Sequence, residues 1–414
     1  MFGASADRIF VQRMGAIALA ALLLRICIRL ASGVQDYWTA GYSQYAALAQ
    51  SLCAGHGYAF ADGAPTAFRV PLYSMLVAAT TCGSGSPWPL ILVQALVSSA
   101  TAVLAGLIAM RMAGSGAGLV AAAIYAVWPY GAWHDLSLQE SGLHAFLAAL
   151  ATLLLLQMRE RHGLGLAAAA GAALGSLLLT RATMLPFALC GLAIIALPPR
   201  AKARLPAAFV AGLAMLAVLT PWLAYSHRVT GAYGLGTEGG AALYAGNHPL
   251  TFSAYPQRSI DESRANVFAS LSVQENVELA RLGTDEVAQS EWFRAKALRN
   301  IAADPLGFLS GAMQKLWAAF GPLPAPRHGM IGNLGYAVFW VPLFGLALVG
   351  MVQRRRRWRD DLLLHAHTAT FCVMTALFWA QTSHRSYLDA FLAAFASVAV
   401  VAMIPQRARI WLDA

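Results

Sequence analysis

The chain has 414 residues, 58% of them hydrophobic and only 12% charged, with a mean hydropathy of +0.57. Soluble domains carry about a quarter charged residues, so the composition excludes one and indicates an all-α integral membrane protein. The net charge of +10 does not point to nucleic acid, because Arg and Lys sit mostly in short runs between apolar stretches, as in cytoplasmic membrane loops.

A helix that crosses a bilayer needs about 20 apolar residues. Such runs predict spans near 14–32, 88–110, 115–133, 137–157, 164–180, 182–198, 205–225, 332–352, 361–381 and 387–405. The first follows Arg8 and Arg13 without a convincing small-residue cleavage site and reads as a signal anchor. The short pair 164–180 and 182–198 meets at Thr180-Arg181, as a tight hairpin or as one long broken helix. The expected fold is one polytopic bundle of about ten (8–13) transmembrane helices over residues 1–414, with no separate soluble domain.

With both termini cytoplasmic, Arg111, Arg159, Arg161, Arg200, Lys202, Arg204, Arg354 to Arg357, Arg359, Arg407 and Arg409 all fall on the inner side. The outer face then receives two long loops, 33–87 and 226–331. The second has helical periodicity at Val273 to Leu282 and Val287 to Ile301, and its apolar run Pro305 to Phe320 reads as an interfacial helix. Cys27, Cys190 and Cys372 lie in apolar runs and are expected in the core. Cys53 and Cys82 both fall in the first outer loop, where they form a disulfide or remain two thiols.

Ionisable groups at the outer ends of spans are the candidates for chemistry. Glu140, five residues after Asp135, is either a carboxylate favoured by a helix N-terminus or an active-site acid facing Asp36. Arg69, Arg181, Lys315 and Arg385 could grip a phosphate. For Arg69 the alternative is a solvated or headgroup-binding cation, for Lys315 snorkelling to the headgroups, and for Arg385 an internal ion pair with Asp389. Tyr58, Tyr73, Asn247 and His384 are candidate contacts for a sugar or acceptor, Asn247 reading first as a turn residue. His56, His134 and His248 have no mutual spacing that demands a metal.

Several stretches in order resemble the GT-C membrane glycosyltransferases, in particular the bacterial branch related to protein mannosyltransferases and lipid A aminoarabinose transferase. Tyr45 to Tyr73 is similar to that family's first outer loop, ending in its R-x-P-x-Y element at Arg69 to Tyr73. Gln139-Glu140-Ser141 resembles its acid at the fourth span, Leu179-Thr180-Arg181 its L-T-R break, and Pro221-Trp222 its seventh-span exit. Gly239-Gly240 and Gly246-Asn247-His248-Pro249 resemble the loop that follows, and Ile301 to Leu316 its interfacial helix. His384-Arg385 stands at the family's arginine-rich turn, while the family's acid near position 41 is replaced by Gly41-Tyr42-Ser43.

The resemblance implies transfer of a sugar from a polyprenyl-phosphate donor to an envelope acceptor, at the periplasmic face of a bacterial inner membrane. Asp36 is the expected base, Glu140 the second choice, and Asp135 a further acid. No cofactor is required for one direct, inverting displacement, and a divalent cation held by Asp36 and Glu140 is the variant mechanism. Lipid, protein and glycan all remain open as acceptors. The competing classes are a secondary transporter, against which the absence of an internal repeat counts, and a non-catalytic envelope-assembly protein.

Overall fold

The computed structural model describes residues 4–39, 41–60, 63–161, 163–197, 201–379 and 381–405. The first half runs α1 (Ala4–Ser32), α2 (Ser43–Cys53), α3 (Leu72–Thr81), α4 (Trp88–Ala113), α5 (Ser115–Val127), α6 (Pro129–His134), α7 (Ser141–Glu160), α8 (Leu164–Thr180) and α9 (Leu185–Ile195). The second runs α10 (Ala201–Thr230), α11 (Gly239–Gly246), α12 (Ile260–Ala269), α13 (Val273–Arg281), α14 (Glu286–Ala303), α15 (Pro305–Phe320), α16 (Met330–Gln353), α17 (Leu362–Leu377), α18 (Thr382–Arg385) and α19 (Asp389–Met403).

Helix occupies most of the described residues of each expected span. Six stretches among the described residues are long and apolar enough to cross a membrane: Arg8–Ser32, Trp88–Ala113, Ser141–Glu160, Arg204–Thr230, Met330–Gln353 and Thr382–Met403. The last is the most enclosed, with 72% of its apolar window buried, against 22% for the first, so α19 forms the middle of the bundle and α1 its rim. The expected span 115–133 is interrupted. Trp128 precedes Pro129 and adopts an extended ψ of 105°, because a residue before proline disfavours the helical region.

Small residues let the helices approach closely. A Cβ on Gly171 of α8 would collide with the Ala211 carbonyl of α10, and one on Gly350 of α16 with the Phe395 carbonyl of α19. The chain turns at Arg181, and α9 lies beside α7, with Gly191 against Leu155, and against α10 and α17 rather than along α8. Cys27 and Cys190, expected in the core, are exposed on the outside of the bundle, where hydrocarbon surrounds an apolar side chain as well as a core does.

The basic residues gather at one end. Arg159 donates to the Asp360 carbonyl (2.9 Å), Arg204 to the Arg159 carbonyl (2.6 Å), and Arg111 pairs with Glu160 (2.6 Å). Arg354 forks onto both oxygens of Asp361 at 2.7 Å. Arg200, Arg407 and Arg409 lie outside the described residues, as does the side chain of Lys202.

The opposite end carries the two long loops. Cys53 and Cys82 are joined as a disulfide that ties the end of α2 to the end of α3. Replacing both cysteines with Ser is expected to lower stability by about 3 kcal/mol, seen as a lower melting temperature and faster proteolysis within 33–87. In the second loop, Tyr244, Val267, Phe293 and Ala297 make a small core that joins α11, α12 and α14. Helix α15 buries Ala312, Lys315, Ala318 and Ala319 and exposes Leu306, Leu309, Met313 and Trp317 on its other face.

Candidate active site

Between the two loops and the bundle lies a cavity of about 400 Å³. Its charged wall holds Arg69, Glu140, Arg181, Glu238, Asp261 and Arg264; its apolar wall is made largely by Met184 and the end of α17 with Phe378 and Trp379. His144 and His384 also line it.

Glu140 is the N-cap residue of α7 and its side chain caps no backbone N–H. It is 5% exposed; Oε1 stands 3.7 Å from Arg181 Nη2, and Oε2 has no hydrogen-bond partner among the described residues. Arg181 reaches the cavity because α8 ends there: its backbone is extended (φ −154°, ψ 107°) and a 3-10 turn, Ala182–Met184, follows. Without that break an arginine at this place would sit inside an apolar span.

Arg69 is fixed from several sides. Nη1 donates to Tyr45 OH (3.3 Å), Nη2 donates to Glu238 (3.1 Å), and the guanidinium lies 5.3 Å from the Tyr42 ring centre. Arg264 of α12 donates to the same Glu238 oxygen at 2.7 Å. Burial pushes the Glu238 carboxyl up, yet the two guanidiniums outweigh it and hold the group below the usual carboxylate range. Tyr42 OH and His384 Nε2 lie 3.3 Å apart, so the first loop meets the last helical hairpin across the cavity. Gly41 lets the first loop lie against the Leu138 carbonyl, since a Cβ there would stand 2.5 Å from its oxygen.

Of the expected site residues, the structure brings together Glu140, Arg69, Arg181 and His384 and leaves the others elsewhere. Asp36 is exposed and lines no part of the cavity. Beside it Tyr37 takes the inward position, donating to Gln94 (2.7 Å), and leaves the carboxylate facing out. Asp135 is buried below the cavity, accepting from Ser98 and from Tyr125 OH (3.3 Å), with Arg25 donating to the same Ser98 at 2.7 Å. Tyr58 is a brace, its hydroxyl donating to the Arg69 carbonyl at 3.1 Å. Tyr73 donates to the Ser137 carbonyl at 3.4 Å and accepts from Gln94 at 2.9 Å.

Lys315 neither snorkels nor faces the cavity. Its ammonium donates to the Gly246 carbonyl (3.1 Å), Asn247 Oδ1 (3.3 Å) and the Phe378 carbonyl (3.4 Å), and burial pulls its pKa down to about 8. Asn247 is likewise consumed, donating to the Leu243 (2.9 Å) and Leu377 (2.7 Å) carbonyls. The two residues clamp the end of α11 onto the end of α17, and Gly246 permits the contact because a Cβ there would meet the Phe378 carbonyl.

Arg385 makes the internal ion pair and lines no part of the cavity. It pairs with Asp389, donates to Tyr336 OH (3.2 Å) and stacks 3.4 Å from the Trp340 ring centre, while Trp128 donates to Asp389 at 2.7 Å. Both charges are fully buried (0% and 1% exposed). Asp389→Ala therefore strands a guanidinium in the bundle and is expected to cost about 3–5 kcal/mol, measured as a drop in melting temperature in detergent.

Glu238, Asp261, Arg264 and His144 were not singled out by the sequence. For Glu238 a weak signal existed, since it immediately precedes the Gly239-Gly240 pair. Among the described residues no group of three or more His, Cys, Asp or Glu side chains could hold a metal ion. Asp36 lies outside the cavity that Glu140 lines, so the pair named for the variant mechanism with a divalent cation is not brought together.

The matches to known proteins fit this geometry. Residues 69–225 match the family model "Dolichyl-phosphate-mannose-protein mannosyltransferase", a stretch that contains Arg69, Glu140 and Arg181. No curated protein matches the chain by sequence. Among solved structures, the apo oligosaccharyltransferase of Archaeoglobus fulgidus aligns with a TM-score of 0.58 at 13% identity, over 95% of this chain and 50% of that one. The oligosaccharyltransferase AglB of Archaeoglobus fulgidus, in complex with an inhibitory peptide and a dolichol-phosphate, aligns with a TM-score of 0.55 at 12% identity, over 94% and 50%. ArnT from Cupriavidus metallidurans bound to undecaprenyl phosphate aligns over 96% and 78% at 15% identity, with a TM-score of 0.40 that adds no weight. The chain spans about half the length of the archaeal enzymes it matches. With six helices long and apolar enough to cross a membrane among its described residues, it is a multi-pass membrane protein that shares the fold of the aligned half of the archaeal oligosaccharyltransferases.

Proposed function

We propose that this protein transfers a sugar from a polyprenyl-phosphate carrier to an envelope acceptor, with Glu140 as general base and Arg69 and Arg181 as ligands of the carrier phosphate. The observation that carries the reading is the meeting of a carboxylate, one oxygen of which is unpartnered among the described residues, with two guanidiniums in one cavity. A carboxylate accepts a proton and guanidiniums bind phosphate, so each group suits one half of the reaction.

In this mechanism Glu140 takes the proton of the acceptor hydroxyl or amine as that atom attacks the anomeric carbon. The new glycosidic bond forms while the bond from the anomeric carbon to the phosphate oxygen breaks. The lipid phosphate leaves with the electron pair, and its charge is held by Arg69 and Arg181. One displacement inverts the anomeric centre. The apolar wall beside Phe378 accommodates the isoprenoid next to its phosphate.

The loop face is assigned to the periplasm of a bacterial inner membrane, with both termini in the cytoplasm. Two observations support that orientation: a disulfide belongs on an oxidising side, and the arginines gathered at the other end follow the positive-inside bias. The test is a proteoliposome assay with purified protein, a polyprenyl-phosphate sugar and an envelope extract. Sugar passing to an acceptor, with free polyprenyl phosphate released in equal amount, supports the reading; no transfer from any lipid-linked donor, with uptake of a solute instead, rejects it.

A further inference from the structure

Glu286, the first residue of α14, lines no part of the cavity, yet its carboxylate joins the two chain segments that carry Arg69 and Glu238. Oε1 accepts from the Thr66 hydroxyl; Oε2 accepts from the Ala67 N–H (3.1 Å) and the Thr237 hydroxyl (2.8 Å). Beside these bonds the segments pair through their backbones, Thr237 N–H donating to the Ala67 carbonyl (3.2 Å) and Glu238 N–H to the Phe68 carbonyl (3.3 Å). Gly236 allows the approach, since a Cβ there would stand 3.0 Å from the Phe68 oxygen. The result is a register that sets Arg69 opposite Glu238 at 3.1 Å.

With two oxygens and about four lone-pair sites, a carboxyl group can take all three donors through one side chain. Its place in the first turn of α14 also suits a negative charge. We infer that Glu286 is a positioning residue, through which the second loop holds Arg69 in place for the phosphate of the lipid carrier. The inference rests on the function proposed above, because it takes Arg69 to be a phosphate ligand.

The experiment measures binding of undecaprenyl phosphate to the purified full chain by native mass spectrometry, alongside melting temperature. Glu286→Gln keeps the shape but turns one acceptor into a donor, and Thr237→Val removes one of the three bonds. Glu286→Gln is expected to weaken carrier binding about tenfold and Thr237→Val about threefold, with little change in melting temperature. In an Arg69→Ala background Glu286→Gln is expected to cost nothing more, a coupling that a merely structural role would not produce. Should Glu286→Gln fail to fold, Thr237→Val, alone and with Arg69→Ala, decides the question by the same criterion. Carrier binding equal to wild type in these variants, or an equal loss with and without Arg69, overturns the inference. A wild-type protein that binds no carrier removes the site reading, and this inference with it.

Discussion

Glu140→Gln is expected to lower turnover by about two to four orders of magnitude, the range that a general base contributes, while carrier binding is kept. Glutamine has nearly the same volume, so the start of α7 and the packing around it persist. What changes is that the amide cannot take the acceptor's proton. It also removes the negative charge 3.7 Å from Arg181, which leaves that guanidinium freer for phosphate and makes carrier binding no weaker. The split is therefore diagnostic: a fall in kcat with the donor KM unchanged or lower marks a base, whereas a residue that merely held Arg181 would raise the donor KM. Steady-state rates with a lipid-linked donor, together with a binding isotherm for the free carrier, read both.

Arg69→Ala is expected to raise the donor KM about a hundredfold, in line with the loss of one or two charge-assisted hydrogen bonds at about 1.5–3 kcal/mol each. The effect has a second source. Glu238 now shares its charge between Arg69 and Arg264; with Arg69 gone, a carboxylate held by one guanidinium faces the incoming phosphate. Turnover falls as well, since the leaving phosphate loses a partner as its charge grows. Arg69→Lys keeps the charge but not the planar fork, and is expected to fall between wild type and Arg69→Ala. A donor KM within about threefold of wild type in Arg69→Ala would place the phosphate elsewhere.

The helical architecture was legible because hydropathy is a local property: the apolar runs became helix, except where Pro129 interrupts 115–133. Fold class and the disulfide candidates needed nothing more than composition and loop assignment. Arg181 was legible for a related reason, a cation at the meeting of two apolar runs being tolerable only where the chain breaks. The pairing of Arg385 with Asp389 was also within reach, since the two stand one helical turn apart.

The failures share a cause. Asp36 was favoured as the base by its place in the first loop, but which of two neighbouring residues turns inward depends on the tertiary partner. Here Gln94 of α4 binds Tyr37 and decides it. Lys315 and Asn247 are consumed by each other across 68 residues of chain, and no spacing rule links them. Glu238 lines the cavity where residues 67–68 pair with 237–238, and Glu286 from a third segment bonds to both. Such long-range choices of partner are set by packing.

The most direct test of the account is a structure of the protein with a non-hydrolysable polyprenyl-phosphate sugar bound. The phosphate oxygens are expected within about 3 Å of the Arg69 and Arg181 guanidiniums, with Glu140 facing the anomeric carbon from the opposite side. A phosphate seated away from both arginines, with Arg69 still bound to Glu238 and Glu140 remote from the sugar, would contradict it.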